Sequence, residues 1–261
     1  MKIAIIGAGA MGGATAIGLA KGGGVAASDI TVTAAHASTL ERFASMGMNT
    51  SLDNADACRG ADIVMIVVKP WLVGKVVAEI VPVLDYDRQI IACLAAGIDS
   101  EALKALFERD GRLPQMVRII PNTAVEVLQS MTFISAVNAT DATIDTIGTL
   151  FSTVGSAMEV DESRLEAGMA LASCGIAYAL RYVRAASEGG VELGIRAADS
   201  TRIVAQTLMG AAGLLLAHDS HPEMEIDKVT TPGGITIKGL NRMEECGFTN
   251  AVIQGLKASV K

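Results

Sequence analysis

A chain of 261 residues can bury one large core or two modest ones, so two domains are expected. Half of it is apolar (51%) and only 3% is aromatic, which leaves Ala, Val, Ile, Leu and Met to fill the interior. The net charge of −7, without a clustered basic run, excludes a nucleic-acid binder; any bound phosphate must be held by local backbone dipoles.

Residues 2–6 predict a strand and residues 11–21 a helix, and Lys21-Gly22-Gly23-Gly24 then breaks the chain. Residues 30–33 predict a second strand and 38–46 a short helix. The uniformly apolar run 63–68 reads as a strand buried on both faces, and Pro70 ends it and opens a helix to about residue 81. Residues 89–94 predict another central strand, and Ser100 is read as the cap of a helix to residue 108 with a carboxylate in its first turn. Strands 115–119 and 131–135, with the Pro121-Asn122-Thr123 turn between them, complete the sheet. Short β-branched runs alternating with helical patterns imply a parallel sheet covered by helices on both faces.

From residue 161 the pattern changes: residues 165–189 and 197–217 are apolar on most faces, and no strand candidate follows. Helices of this kind are buried on more than one side, within a large helical domain or against another subunit, and the small size of this region favours an oligomer. The boundary is expected around residues 155–161, giving an α/β domain (1–158) and an all-α domain (159–261).

Cys58, Cys93, Cys174 and Cys246 lie far apart with no CxxC or Cys/His cluster, as reduced thiols of a cytoplasmic protein would. His36, His218 and His221 are not at ligand spacing with them, so no metal is expected. Glycines interrupt the apolar start too early for a signal peptide, and the late apolar run 208–217 is shorter than the ~20 residues of a membrane span. The chain is read as soluble, without a membrane partner.

Gly7-Ala8-Gly9-Ala10-Met11-Gly12 fits GxGxxG directly after a strand and at the head of a helix. Gly7 permits the tight turn, Gly9 lets the backbone approach a pyrophosphate, and Gly12 lets helix and strand pack closely. The helix N-terminus then offers free N–H groups to the diphosphate. The fold expected is therefore a Rossmann-type doubly wound sheet followed by an all-α domain.

At the end of the second strand, Thr33-Ala34-Ala35-His36-Ala37-Ser38-Thr39 holds no carboxylate to repel a 2′-phosphate and no arginine to select one. NADP is the preferred cofactor and NAD remains possible. His36, Ser38 and Thr39 offer donors to a phosphate, unless Ser38 only caps the next helix. Val68-Lys69-Pro70 ends the strand expected to pass under the cofactor, where Lys69 either contacts the nicotinamide ribose or is simply solvated.

Near the C-terminus, Val229-Thr230-Thr231-Pro232-Gly233-Gly234-Ile235-Thr236 reads either as a helix linker or as a loop that turns several N–H groups toward a small anion. Its longer context, residues 227–240 followed by Met243-Glu244 and Gly247-Phe248, resembles the signature of the pyrroline-5-carboxylate reductases. The resemblance extends through residues 7–12, Val68-Lys69-Pro70, Ala95-Ala96-Gly97, Pro121-Asn122-Thr123, Gly189-Gly190-Val191 and Gln206-Thr207. It implies hydride transfer from NAD(P)H to the C=N carbon of 1-pyrroline-5-carboxylate, giving L-proline, in a homodimer or larger oligomer built through the C-terminal helices.

By the same resemblance, Thr231, Gly233, Gly234 and Ile235 hold the substrate carboxylate and Thr236 serves the ring nitrogen. Glu162 and Asp219 stand where acids favour the iminium form, or are surface acids. Asn54, Val68, Lys69, Ala96 and Lys228 fall at cofactor positions. Two departures from the family pattern stand out: Met169 replaces a threonine, and Ala124 replaces a proline after Asn122-Thr123. Other readings of the same layout are another cyclic-imine reductase, a 3-hydroxy-acid dehydrogenase, and a non-catalytic dinucleotide module. The absence of lysine between Lys104 and Lys228 counts against the dehydrogenase.

Overall fold

The computed structural model describes residues 1–260. Met1–Ser173 forms one compact unit, and a second begins at Cys174.

The first unit is built on an eight-stranded sheet in the order β3-β2-β1-β4-β5-β6-β7-β8. Its strands are β1 (Ile3–Ile6), β2 (Ile30–Thr33), β3 (Asn49–Ser51), β4 (Ile63–Ile66), β5 (Ile90–Cys93), β6 (Gln115–Ile120), β7 (Ser130–Asn138) and β8 (Gly155–Glu159). β1 to β6 run parallel, whereas β7 is antiparallel to β6 and parallel to β8, so the sheet is mixed at one side. The chain order reverses direction between β1 and β4, which opens a crevice beyond the strands' C-terminal ends.

Alternation along β1 shows how the sheet is covered. Ile3 and Ile5 join one core with Leu19, Phe43, Ile147 and Phe151, which come from α1 (Ala10–Lys21), α2 (Ala37–Ser45) and α6 (Asp141–Ser152). Ala4 and Ile6 join the opposite core with Cys58, Val73, Ile80 and Phe107 from α3 (Asn54–Cys58), α4 (Pro70–Ile80) and α5 (Ser100–Phe107). Each fully buried Ile or Phe contributes ~1.5–3 kcal/mol, so both faces hold the sheet in register.

Several local features differ from the sequence reading. β3 and β8 are edge strands with little apolar periodicity (Asn49-Thr50-Ser51 and Gly155-Ser156-Ala157-Met158-Glu159), and they give no strand signal. Asp99, not Ser100, caps α5 by accepting from the Ala102 N–H at 2.8 Å. The cap position of α2 is His36, so Ser38 lies inside the helix. Beyond β8, α7 (Leu165–Gly168) and a π-helical turn over Met169–Cys174 keep the chain on the sheet, with Leu165 1% and Ala170 2% exposed. The compact unit therefore runs to Ser173, past the boundary expected at residue 158.

The second unit contains α8 (Gly175–Glu192), α9 (Ala197–His218), α10 (Pro222–Val229), α11 (Ile235–Glu245) and α12 (Phe248–Lys257). α8 and α9 approach closely at Gly190, where a Cβ would stand 2.1 Å from the Ser200 hydroxyl. That hydroxyl donates to the Ser187 carbonyl at 2.9 Å. α12 returns to α8 through Tyr178, which bonds the Gly255 carbonyl at 3.3 Å, and through Tyr182 edge-on to Phe248. Many apolar side chains here face outward: Leu193 is 85%, Leu216 87% and Met209 69% exposed. α9, with 22 residues, is long and apolar enough to cross a membrane on length and composition. The run 208–217 understates that helix, so its length does not exclude a membrane span.

Candidate active site

The residues assigned to a cofactor in the first unit gather at the C-terminal edge of the parallel strands. Residues 7–12 form the turn from β1 into α1. Gly7 has φ +110°, and a Cβ there would meet the Val67 carbonyl oxygen at 2.5 Å. A Cβ on Gly12 would stand 1.9 Å from the Gly7 oxygen. Gly9 is different: a Cβ on it would meet nothing within 4 Å and would project into open space. Gly9 is also the N-cap of α1, which has neither a side-chain cap nor an acid in its first turn. The helix thus presents unpaired N–H groups and partial positive charge to a clear approach, which fits a dinucleotide diphosphate.

At the end of β2, the Thr33 hydroxyl donates to Asn54 Oδ1 at 2.7 Å, and Asn54 Nδ2 donates to Glu79 at 2.7 Å. Asn54 is thereby fixed beside the strand end where an adenosine ribose binds in this fold. Lys69 is the exposed N-cap residue of α4, with Val68 before it and Pro70 as the first helical residue. Ala96 lies exposed in the turn after β5.

The residues assigned to substrate lie in the second unit, between α10 and α11. Gly234 N–H donates to the Thr231 carbonyl at 2.9 Å, and Gly233 has φ +72°. Thr231-Pro232-Gly233-Gly234 is therefore a type II turn, with Pro fixing its second position and Gly its third. A Cβ on Gly234 would stand 2.6 Å from the Thr231 hydroxyl oxygen. Gly234 caps α11 without a side-chain bond, and no acid occupies that helix's first turn. Ile235 and Thr236 are its first two residues and both are exposed. The loop is thus a turn that opens a helix N-terminus, with the Thr231 and Thr236 hydroxyls making no hydrogen bond among the described residues. Thr230 is committed elsewhere, donating to the Ile226 and Asp227 carbonyls at the end of α10.

Lys228 and Asp219 both precede this loop in the chain, Lys228 in the last turn of α10 and Asp219 before that helix. Lys228 donates to Glu225 at 2.6 Å; Glu225 also accepts from Ser220 at 2.6 Å and pairs with His218 at 3.3 Å. Lys228, then Ser220 and His218, pull the Glu225 carboxyl down to about 2. Sequence reading gave no sign of this cluster, whose members share one carboxylate across the α9–α10 corner. Asp219 is exposed and turns the chain after α9 in the left-handed region, φ 47°.

Glu162 sits in the first unit and is already engaged. Its Oε1 accepts the Ser100 N–H at 2.8 Å and pairs with Arg118 of β6, whose side chain is 12% exposed. Burial works against its charge, but the bonds from Ser100 and Arg118 outweigh that and hold the carboxyl below its ordinary value. It therefore ties the head of α5 to the sheet as a carboxylate. No motif marks Arg118, and its one signal in the sequence is a charge among the apolar residues 116–120 of a strand.

Asn122 joins the turn after β6 to the π-helical segment, donating to the Ala172 carbonyl at 3.4 Å while Ser173 donates to Pro121 at 3.1 Å. Two thiols lie deep: burial, with Asp53 adding to it, pushes Cys58 up to about 12, and burial also raises Cys93.

A Rossmann-type sheet with an open glycine crevice, followed by a helical unit whose Thr231–Gly234 turn opens an uncapped helix, defines a dinucleotide-dependent oxidoreductase. Residues 162–261 match the family described as pyrroline-5-carboxylate reductase dimerisation, and residues 2–96 match NADP oxidoreductase coenzyme F420-dependent. Pyrroline-5-carboxylate reductase 2 of Dictyostelium discoideum is 34% identical over 100% of this chain and 91% of its own length. Pyrroline-5-carboxylate reductase 1 of the same organism is 36% identical over 98% of this chain, which spans about half (48%) of that relative. The crystal structure of Plasmodium falciparum pyrroline carboxylate reductase with NADP bound shares the fold, with a TM-score of 0.87 at 23% identity over 99% of this chain and 95% of that one. The chain belongs to the pyrroline-5-carboxylate reductase family.

Proposed function

We propose that this protein reduces 1-pyrroline-5-carboxylate to L-proline with NADPH, the closing step of proline biosynthesis. The observation that carries the reading is the Thr231-Pro232-Gly233-Gly234 turn opening α11, an uncapped helix head suited to a small carboxylate, in a chain of this family. NADPH, when bound, supplies the hydride that reaches the C=N carbon, while the ring nitrogen takes up one proton. The description of the N-terminal family and the NADP held by the Plasmodium neighbour support NADP over NAD, as does the lack of a carboxylate in residues 33–39.

In this reading residues 7–12 hold the diphosphate, Asn54 the adenosine ribose, and Val68, Lys69 and Ala96 the nicotinamide side, with Lys228 as a further cofactor contact. Thr231, Gly233, Gly234 and Ile235 orient the carboxylate, so the reaction gains chiefly from positioning. Thr236 delivers the proton to nitrogen, a task that falls to it because position 169 holds methionine. Asp219, exposed where α9 ends, favours the iminium ion. Glu162, kept charged by Ser100 and Arg118, acts by its field and by holding α5, not by giving up a proton.

The outward apolar side chains of α8 to α12 support a homodimer or a multiple of one, with a second copy covering α9, and the four free cysteines support a reducing cytoplasm. A 3-hydroxy-acid dehydrogenase would draw its base from a lysine in the helix after the linker, and α8 has none. The test is oxidation of NADPH and NADH by purified protein with 1-pyrroline-5-carboxylate. Proline formation with preference for NADPH is expected, and failure to oxidise either cofactor would remove the proposal.

A further inference from the structure

We infer that Arg42, from the middle of α2, is the residue by which this chain selects the 2′-phosphate of NADP. The inference rests on the reductase reading above and concerns the one feature of the cofactor that the β2 end leaves unread. Residues 33–39 carry neither a repelling carboxylate nor a lysine or arginine. His36, Ser38 and Thr39 offer hydrogen bonds there but no permanent positive charge, so a cation that recognises the phosphate has to come from further along the chain.

Arg42 is so placed. Gly13 lies one turn into α1, its N–H bonded to the Gly9 carbonyl at 2.8 Å. A Cβ on Gly13 would stand 2.4 Å from Arg42 Nη2 and 3.4 Å from its Cζ. The guanidinium thus fills the space that any other residue at position 13 would occupy, and Gly13 is buried beneath it although Arg42 itself is exposed. Along α1, about one helical pitch, ~5.4 Å, separates Gly13 from the fingerprint glycine Gly9. The ring of Phe43 supports the guanidinium from another side, with Cζ 4.5 Å from its centroid. Among the described residues Arg42 takes part in no ion pair.

The rest follows from the topology. β1 and β2 are parallel neighbours, with Ile6 opposite Thr33, so the heads of α1 and α2 stand side by side. Helical side chains lean toward their own N-terminus, which carries Arg42 toward the β2–α2 turn. A dinucleotide with its diphosphate on α1 and its adenosine ribose at Thr33 and Asn54 places a 2′ substituent between those helix heads. There an unpaired, pre-stacked guanidinium offers a forked donor set to the phosphate.

The experiment measures dissociation constants of NADPH and NADH, by nicotinamide fluorescence, for the wild type, Arg42→Met and Arg42→Lys at low and high salt. Arg42 is exposed, so the variants keep the fold, and matched thermal melts check this. Arg42→Met is expected to weaken NADPH by about ten- to a hundredfold while NADH changes less than about twofold. Arg42→Lys should restore part of the loss, and salt should narrow the gap between the cofactors in the wild type only. Equal weakening of both cofactors, or none, overturns the assignment while leaving the reductase reading standing. A wild type that binds neither cofactor overturns both.

Discussion

At the residue scale, the roles proposed for Thr236 and Glu162 differ: the first delivers a proton, and the second holds α5 and keeps its charge. Thr236 is the second residue of α11 and its hydroxyl is free among the described residues. Thr236→Val should lower turnover about a hundredfold, the usual size of a proton-transfer contribution, while the NADPH dissociation constant stays unchanged. Steady-state kinetics beside cofactor titration decide this, and a silent variant removes proton delivery by Thr236. Glu162→Gln should instead act through stability, because it leaves Arg118 without its counter-charge in a nearly buried place. With Glu162 partly exposed, ~1 kcal/mol is the expected loss near neutral pH. Its folded carboxyl titrates below the ordinary 4.5. The stabilisation is therefore complete above that value and fades as pH falls through the lower folded one. Melting curves of wild type and variant should accordingly converge in acid. Sequence could mark Glu162 as an acid worth watching but not say what it does. Its partners, Ser100 and Arg118, are 62 and 44 positions away in the chain.

The element scale shows why two turns were readable and two strands were not. A glycine fingerprint and a Pro-Gly-Gly turn are local: their residue types answer to φ angles and close approaches set within a few positions. The three critical glycines should nevertheless fail differently. Gly9→Ala should fold normally, since Gly9 has φ −67° and space around it, yet lose NADPH binding to the methyl in its path. Gly12→Ala should lower the melting temperature, because its Cβ collides with the Gly7 carbonyl at 1.9 Å and the helix must move. Gly234→Ala should raise the KM for the imine and spare cofactor affinity, as its Cβ meets Thr231 inside the turn. Binding and melting measurements on the three proteins sort these outcomes. By contrast, β3 and β8 exist only because β2 and β7 offer them an edge, and polar edge strands carry little pattern of their own.

For the whole molecule, the change at residue 161 from alternating patterns to helices apolar on most faces was plain in the sequence, but its meaning was not. The chain stays on the sheet to Ser173, since Leu165 and Ala170 are buried there and Gly168 packs on Phe133, an attachment that periodicity cannot report. The exposed apolar side chains of α9 need a cover. Light scattering during size exclusion should give a dimer or a multiple of one, and Leu216→Glu should shift it toward monomer with a lower melting temperature. A wild-type monomer would contradict the account of these helices.

The bare head of α1 has a consequence for the protein's survival. With Gly9 as cap and no acid in its first turn, the head of α1 has no partner from its own side chains, and in the proposed function a diphosphate supplies one. Cofactor binding is then also a folding term: at a hundredfold excess over its dissociation constant it adds ~2.7 kcal/mol to stability. Molecules starved of dinucleotide should open more often and be cleaved sooner by protease. The cell's total supply of the dinucleotide, oxidised or reduced, would thus help to set how much of this enzyme persists, in addition to how fast it turns over.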